Sequence, residues 1–268
     1  MQKFHLRRRP VRTLAIIAAI GAMAFAGMAS AAERVVVTQN SSSWTPVTVA
    51  GGTVTFTEEF GAPPGLGTGS VKLTTTANLP DKAGLFTDEV AGTPVADVHT
   101  LGYWTYQAAS NLLPHAAASY QFIIDANGAA PGGFSTLVYE PYQNGVVVKG
   151  VWQQWDVDSG LFWSTRSFVD GTCILVAGAG GPPMYTLTQI KTMCPNAVVL
   201  GIGVNIGSNN PLYTVGADGV QFNDTIYDFE LGRRPSSKDD CKDGGWMTFN
   251  DPSFKNQGEC IKWVKDNS

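Results

Sequence analysis

Trp104, Trp152, Trp155 and Trp163, with Tyr103 and Tyr106, fall in short apolar runs that also carry Gln154, Asp156 and Arg166. Indole and phenol rings present flat apolar faces, while amides, carboxylates and guanidinium groups supply hydrogen bonds beside them. That combination suits a sugar ring, which offers a C–H face and a rim of hydroxyls. The same rings also fill sandwich cores. Parity along a strand separates the two roles: Trp152, Gln154 and Asp156 share one face, Gln153 and Trp155 the other, so one tryptophan belongs to the core and the other to a surface. The candidate ligand-binding set is Trp104, Tyr106, Trp152, Gln154, Trp155, Asp156, Trp163 and Arg166.

Catalytic patterns are sparse. Beyond residue 32 the only histidines are His99 and His115, and no GxSxG turn is present, which leaves no basis for a nucleophile–histidine–acid triad. Two carboxylates could face each other across a sandwich as in glycosidases, with Glu58, Glu59, Glu140 and Asp156 as candidates. Each reads more simply as a solvated or turn carboxylate. Glu140 precedes Pro141 at a strand end, and the adjacent Glu58 and Glu59 point to opposite faces. Asp156 and Asp158 in "DVDSG" resemble the start of a calcium loop, but the remaining oxygen ligands and the closing glutamate are missing. The four cysteines form no CxxC pair, so neither a metal nor another cofactor is expected.

These side chains need strands to hold them. From Glu33 to Glu230 short runs rich in Val, Thr, Ile, Phe and Tyr, such as "GTVTFTEEF", "LGYWTYQ", "SYQFIIDAN" and "AVVLGIGVNIG", alternate with Gly, Pro, Asn and Asp. The expected class is all-β, an antiparallel β-sandwich. In "SYQFIIDAN", Tyr120, Phe122 and Ile124 point one way and Gln121, Ile123 and Asp125 the other. "WDVDSGLFW" reads as a hairpin, "DANGAAPGGF" as a loop containing Pro131, and "GVQFNDTIYDFE" as a terminal hairpin. Helical turns are expected only around "PMYTLTQIKTMCP" and "LPDKAGLFTDEV".

The ends differ in character. Residues 1–32 combine a basic start, the apolar "TLAIIAAIGAMAFAGMA" and small residues at "ASAA", the pattern of a secretory signal peptide. That leader holds five of the 18 basic residues and no acid, so 13 basic residues face 22 acidic ones afterwards. Such a balance excludes a nucleic-acid partner, because phosphate binding needs a basic face. No later stretch is long and apolar enough to span a bilayer. The expected organisation is leader 1–32, sandwich 33–232, an Arg-, Pro- and Ser-rich linker 233–240, and a C-terminal element 241–268. Cys241 and Cys260 bracket that element, whose few apolar residues predict a small stapled hairpin or a turn packed around Trp246, with "CIKWV" as a short strand.

The order of "APGGFSTLVYEP", "GVWQQWDV", "GIGVNIGSNNP" and "GADGVQFNDTIYDFE" resembles a group of secreted bacterial proteins with jelly-roll, concanavalin-like sandwiches, over roughly residues 100–230. "SKDDCKDGGWMTFNDPSFKNQGECIKWV" is similar to a short C-terminal element that follows unrelated bodies in secreted bacterial proteins. That resemblance implies a Cys241–Cys260 disulfide and leaves Cys173 to pair with Cys194. Four cysteines by themselves allow three connectivities. The leading reading is a secreted protein, extracellular, periplasmic or surface-associated, that binds a glycan or extracellular polymer without catalysis. Its alternatives are a polysaccharide-acting hydrolase or lyase and a structural surface protein with no small ligand.

Overall fold

Alternating burial builds the strands. Along Leu101–Gln107 (β6) every second residue from Leu101 to Gln107 is buried, while Gly102, Trp104 and Tyr106 face outward, as a strand with one face in a core requires. A computed structural model describes residues 32–112, 116–128, 132–171 and 173–267. Residues 1–31 of the leader, His115 and Pro131, named above, lie outside the described residues.

The first sheet centres on Thr214–Phe222 (β15), with β6 along one side and Trp152–Asp156 (β9) beyond it. The other side of β15 is shared. Its first half pairs with Ser70–Thr74 (β4), which carries Thr53–Thr57 (β3). Its second half pairs with Thr225–Phe229 (β16), and Glu33–Val37 (β1) adds to β16 in parallel. The second sheet is antiparallel throughout. Its order is Met184–Thr186 (β13), Leu161–Ser164 (β10), Phe134–Tyr139 (β8), Ser119–Asp125 (β7), Val198–Ile206 (β14), Lys82–Thr87 (β5) and Thr45–Val49 (β2). Phe168–Asp170 (β11) and Cys173–Leu175 (β12) form a separate two-stranded ribbon.

The chain is therefore an all-β sandwich, as its sequence predicts. Rings from both sheets meet edge to face in the core: Tyr103 with Tyr120 at 5.4 Å, Tyr103 with Tyr139 at 6.2 Å, and Tyr139 with Phe162 at 6.0 Å between centroids. The expected parity of β7 holds, with Tyr120, Phe122 and Ile124 fully buried. So does the terminal hairpin, in which Val220 opposes Tyr227 and Asn223 takes a positive φ of 51° at the reversal. After the short turn of helix Pro141–Asn144 (α1), the helix expected around "TLTQIKTM" is Leu187–Met193 (α2), opened by a Thr186–Gln189 capping box. Both disulfides, Cys173–Cys194 and Cys241–Cys260, are formed.

Three expectations are corrected. "LPDKAGLFTDEV" is not a helical turn but β5, because pairing on both edges, with β14 and β2, outweighs the local Pro-Asp start. The Asp81 carboxylate instead ties the preceding turn by accepting N–H bonds from Gly51 and Thr76. "WDVDSGLFW" is not a hairpin: β9 lies in the first sheet and β10 in the second, so the turn carries the chain from one layer to the other. Finally, "CIKWV" belongs to a helix, Gln257–Asp266 (α3), following a 3₁₀ turn at Gly245–Thr248. Asn256 caps it by accepting the Glu259 N–H, and Cys260 and Val264, one turn apart, are its buried positions.

The C-terminal element has its own apolar cluster, with Cys241, Cys260 and Val264 buried and Trp246, Phe249, Phe254, Ile261 and Trp263 around them. Its contacts to the sandwich are polar. Asp251 accepts from Thr38 at 2.7 Å and from Asn40 at 2.5 Å, and Asn250 donates to the Leu231 carbonyl at 3.1 Å. We therefore propose that the element is a separable module. Ending the chain after Gly232 should lower the thermal midpoint of the sandwich by only several degrees, since what is lost is a few part-buried hydrogen bonds of about 1 kcal/mol each and no core strand; differential scanning calorimetry of the truncated and full chains checks this.

Candidate functional site

Each sheet turns one face to the core and one outward, so the predicted site residues divide among three places. Trp104, Tyr106, Trp152, Gln154 and Asp156 lie on the outer face of the first sheet, where Trp104 opposes Gln154 and Tyr106 opposes Trp152. Trp155 points the other way. It is 8% exposed, and its indole N–H donates to the Thr105 hydroxyl at 2.8 Å. It is a core residue with no surface to offer a ligand. Trp163 stands on the outer face of the second sheet, because its neighbours Phe162 and Ser164 are buried. Arg166 follows β10 and lies 5.0 Å from the centre of the Phe134 ring.

The first sheet's outer face is partly covered. The segment 58–69 crosses it, held where Glu230 accepts N–H bonds from Thr68 and Gly69 at 2.9 Å. Phe60 of this strap stacks on Tyr106 at 4.8 Å, and its carbonyl accepts the Trp152 indole N–H at 3.0 Å. Tyr106 and Trp152 therefore pack under protein. Glu58 pairs with Arg233, and Glu59 with Lys72, at the base of the strap.

The second sheet's outer face holds the larger cavity, about 520 Å³, lined among others by Gln121, Val138, Glu140, Trp163 and Asn205. These come from four strands and the residue after β8, set side by side by register. Gly203 opposes Phe86 and Gln121, Gln121 opposes Val138, and Val138 opposes Trp163. One crosswise row thus has an aromatic ring at each end, about 19 Å apart at ~4.8 Å per strand. Phe86 lies flat against the sheet where glycines leave room: a Cβ on Gly203 would come within 2.4 Å of its ring.

Polar groups converge in this cavity. Gln121 is oriented by donating to the Ser119 hydroxyl at 2.7 Å, and Ser119 in turn donates to the Asn205 carbonyl at 3.0 Å. The side-chain oxygen of Asn205 is buried without a hydrogen-bond partner, and the buried indole N–H of Trp163 lies beside the Glu140 carboxyl. The Trp163 side chain interacts with the Glu140 carboxyl and lowers its pKa somewhat. Burial is the larger influence on Glu140 and pushes it up to about 7. Among the described residues Glu140 is the only carboxylate lining the cavity, and Lys82 the only lysine or arginine.

The raised Glu140 pKa has a signed consequence. An unfolded chain releases this proton near pH 4.3 and the folded one near 7, so the folded state binds more protons between those values. The contribution to stability is full below about pH 4 and is lost as pH rises to about 7. Glu140→Gln should therefore gain about 1–2 kcal/mol over the wild type between pH 5 and 8, after allowance for solvent at the cavity mouth. Urea unfolding of both proteins at a series of pH values measures the difference, and parallel curves would count against it.

Sequence reasoning placed Trp163 in the candidate set and weighed Glu140 only as a possible catalytic acid. It passed over Gln121, Asn205 and Phe86 as site residues. Their parity was readable, but the row that unites them exists only through strand order.

No helix among the described residues is long and apolar enough to cross a membrane. No protein-family model matches the chain, and no curated protein matches it. Among solved structures it is similar to a family 11 carbohydrate-binding module of the cellulosomal cellulase Lic26A-Cel5E of Clostridium thermocellum. That similarity has 11% identity and a TM-score of 0.40 over 73% of this chain and 94% of that one. A family 11 module from the same organism in complex with a β-1,3-1,4-mixed-linked tetrasaccharide gives 12%, 0.38, 72% and 93% in the same order. The enzymatically active domain of tailspike protein 4 of bacteriophage CBA120 gives 14%, 0.36, 69% and 19%. At these values the likenesses say nothing about a ligand of this chain.

Proposed function

We propose that this chain binds a glycan, without catalysis, on the outer face of its second sheet. Trp163 supplies a stacking face, and Gln121, Glu140 and Asn205 supply hydrogen bonds to hydroxyls. The observation that carries the reading is the grouping of Trp163, Gln121, Glu140 and Asn205 around one cavity, with the Asn205 side-chain oxygen buried and unpartnered beside it. Leaving such an atom unpaired costs about 1–3 kcal/mol, which a hydroxyl-bearing ligand recovers. The crosswise row continues beyond the cavity from Gln121 through Gly203 to Phe86, which extends the face along which an oligosaccharide could lie. Binding without hydrolysis is favoured because glycosidases work with two carboxylates, and Glu58, Glu59 and Asp156 all lie in or beside the first sheet.

The test is isothermal titration of soluble polysaccharides into the full chain, with reducing ends assayed in parallel. Trp163→Ala should weaken binding at least tenfold while circular dichroism is unchanged, and Gln121→Ala should weaken it less. Equal affinity in wild type and Trp163→Ala would overturn the site. Release of reducing ends would replace binding by hydrolysis, and silence across the panel would leave a structural role.

A further inference from the structure

A second groove, about 380 Å³, opens on the outer face of the first sheet beside Trp104. Its floor has almost no side chains. Gly102 lies there, and Gly219 has a positive φ of 56°; a Cβ at Gly219 would come within 2.6 Å of Leu66 and 3.0 Å of the Trp104 ring. Pro64, Gly65 and Leu66 of the strap form one wall, and Ile226 adds apolar surface. The same strap that covers Tyr106 and Trp152 reaches Trp104 with Leu66 at one edge and leaves that ring partly exposed.

The groove also carries directed polarity. Gln221 donates its amide N–H to the Asn223 carbonyl at 3.0 Å, which leaves its side-chain oxygen, close to Gly102, open as an acceptor. Gln154, directly opposite Trp104, is exposed, and its side-chain amide bonds no other described residue. Among the described residues, none lining the groove is charged. A flat indole, a floor without side chains and two amides describe the contacts of a neutral ring with an apolar face and hydroxyls at its edge. A charged ligand would find no counter-charge there.

We propose that this groove is a second glycan site, for a neutral pyranose polymer, and that one molecule therefore bridges two polymer chains. Trp104 flanks the buried Tyr103, and Trp163 flanks the buried Phe162 on the other sheet, so the two sites face away from each other across the core. One straight segment cannot touch both. The groove rests on its own residues and depends on the reading above only for the chemical class of its probe.

The experiment titrates neutral gluco-, manno- and xylo-configured tetrasaccharides into the full chain, Trp104→Ala, Gln154→Ala, Trp163→Ala and the Trp104→Ala/Trp163→Ala double variant. Turbidity with the corresponding long polysaccharides is read alongside. Two ligands per wild-type chain, one per Trp104→Ala or Trp163→Ala chain and none for the double variant are expected, with turbidity only for chains holding both sites. Gln154→Ala, an exposed change that leaves packing alone, should weaken the second site at least threefold even if Trp104→Ala fails to fold. One ligand per wild-type chain, lost in Trp163→Ala and unaffected by Trp104→Ala and Gln154→Ala, overturns this proposal and leaves the first site standing. Binding lost in Trp104→Ala but kept in Trp163→Ala supports the groove and removes the first site. No binding to the wild type overturns both.

Discussion

Trp155→Ala should destabilise the sandwich by about 3–5 kcal/mol, the range for removing a buried large aromatic. The Trp155 ring packs 6.4 Å from Tyr139 and beneath Gly145, whose Cβ position would lie 3.0 Å from it. Alanine would leave a void there and strand the Thr105 hydroxyl that now accepts the indole N–H. For a body of about 200 residues the thermal midpoint should fall by about 6–20 °C. Trp163→Ala should do the reverse, costing affinity and little stability. Calorimetry and titration on the two variants side by side give the contrast; a Trp155→Ala protein that melts like the wild type but no longer binds would mean that Trp155 reaches ligand.

The second large effect is local. Cys241→Ser should unfold the C-terminal element while the sandwich melts as before. A crosslink between residues 19 apart contributes about 3 kcal/mol, and α3 has only ten residues, below the length at which a helix holds in water unaided. The cluster around Cys260 and Val264 is too small to replace that constraint. Limited proteolysis followed by mass spectrometry should show cuts between Ser236 and Lys265 in the variant and protection in the oxidised wild type. A variant whose sandwich also loses its cooperative transition would show that the element is part of the body's stability.

How much of this could be read from the chain depended on how local the cause is. Strand faces were legible, since parity along "LGYWTYQ" matches its burial residue by residue and parity along "SYQFIID" picks out its core residues Tyr120, Phe122 and Ile124. The Trp152/Trp155 division was legible for the same reason. Sheet membership was not. "WDVDSGLFW" carries every local sign of a hairpin, yet its two strands pair with β6 and β8 in different layers. "KAGLFT" became a strand through neighbours 120 residues away on β14. The helix α3 did have a signal that was passed over: Asn256 with Glu259 three residues on, and Cys260 and Val264 at helical spacing. The cavity had none, because Gln121, Glu140, Trp163 and Asn205 become neighbours only when four strands take their order.

The connection 157–160 is the chain's direct passage from β9 to β10. Gln154 and Trp163 sit at its two ends, nine positions apart in sequence and on opposite outer faces. Asp158 in this passage accepts the Leu101 N–H at 2.9 Å, so the connection is also pinned to β6. A pull delivered to both faces at once would try to separate the two sheets, whose mutual attraction is apolar and without direction. Near these two residues the tension would instead run through a few covalent links of main chain. The sandwich is in this respect riveted where it would be loaded, and a force applied there would have to strip strands lengthwise, hydrogen bond by hydrogen bond, before the layers could part.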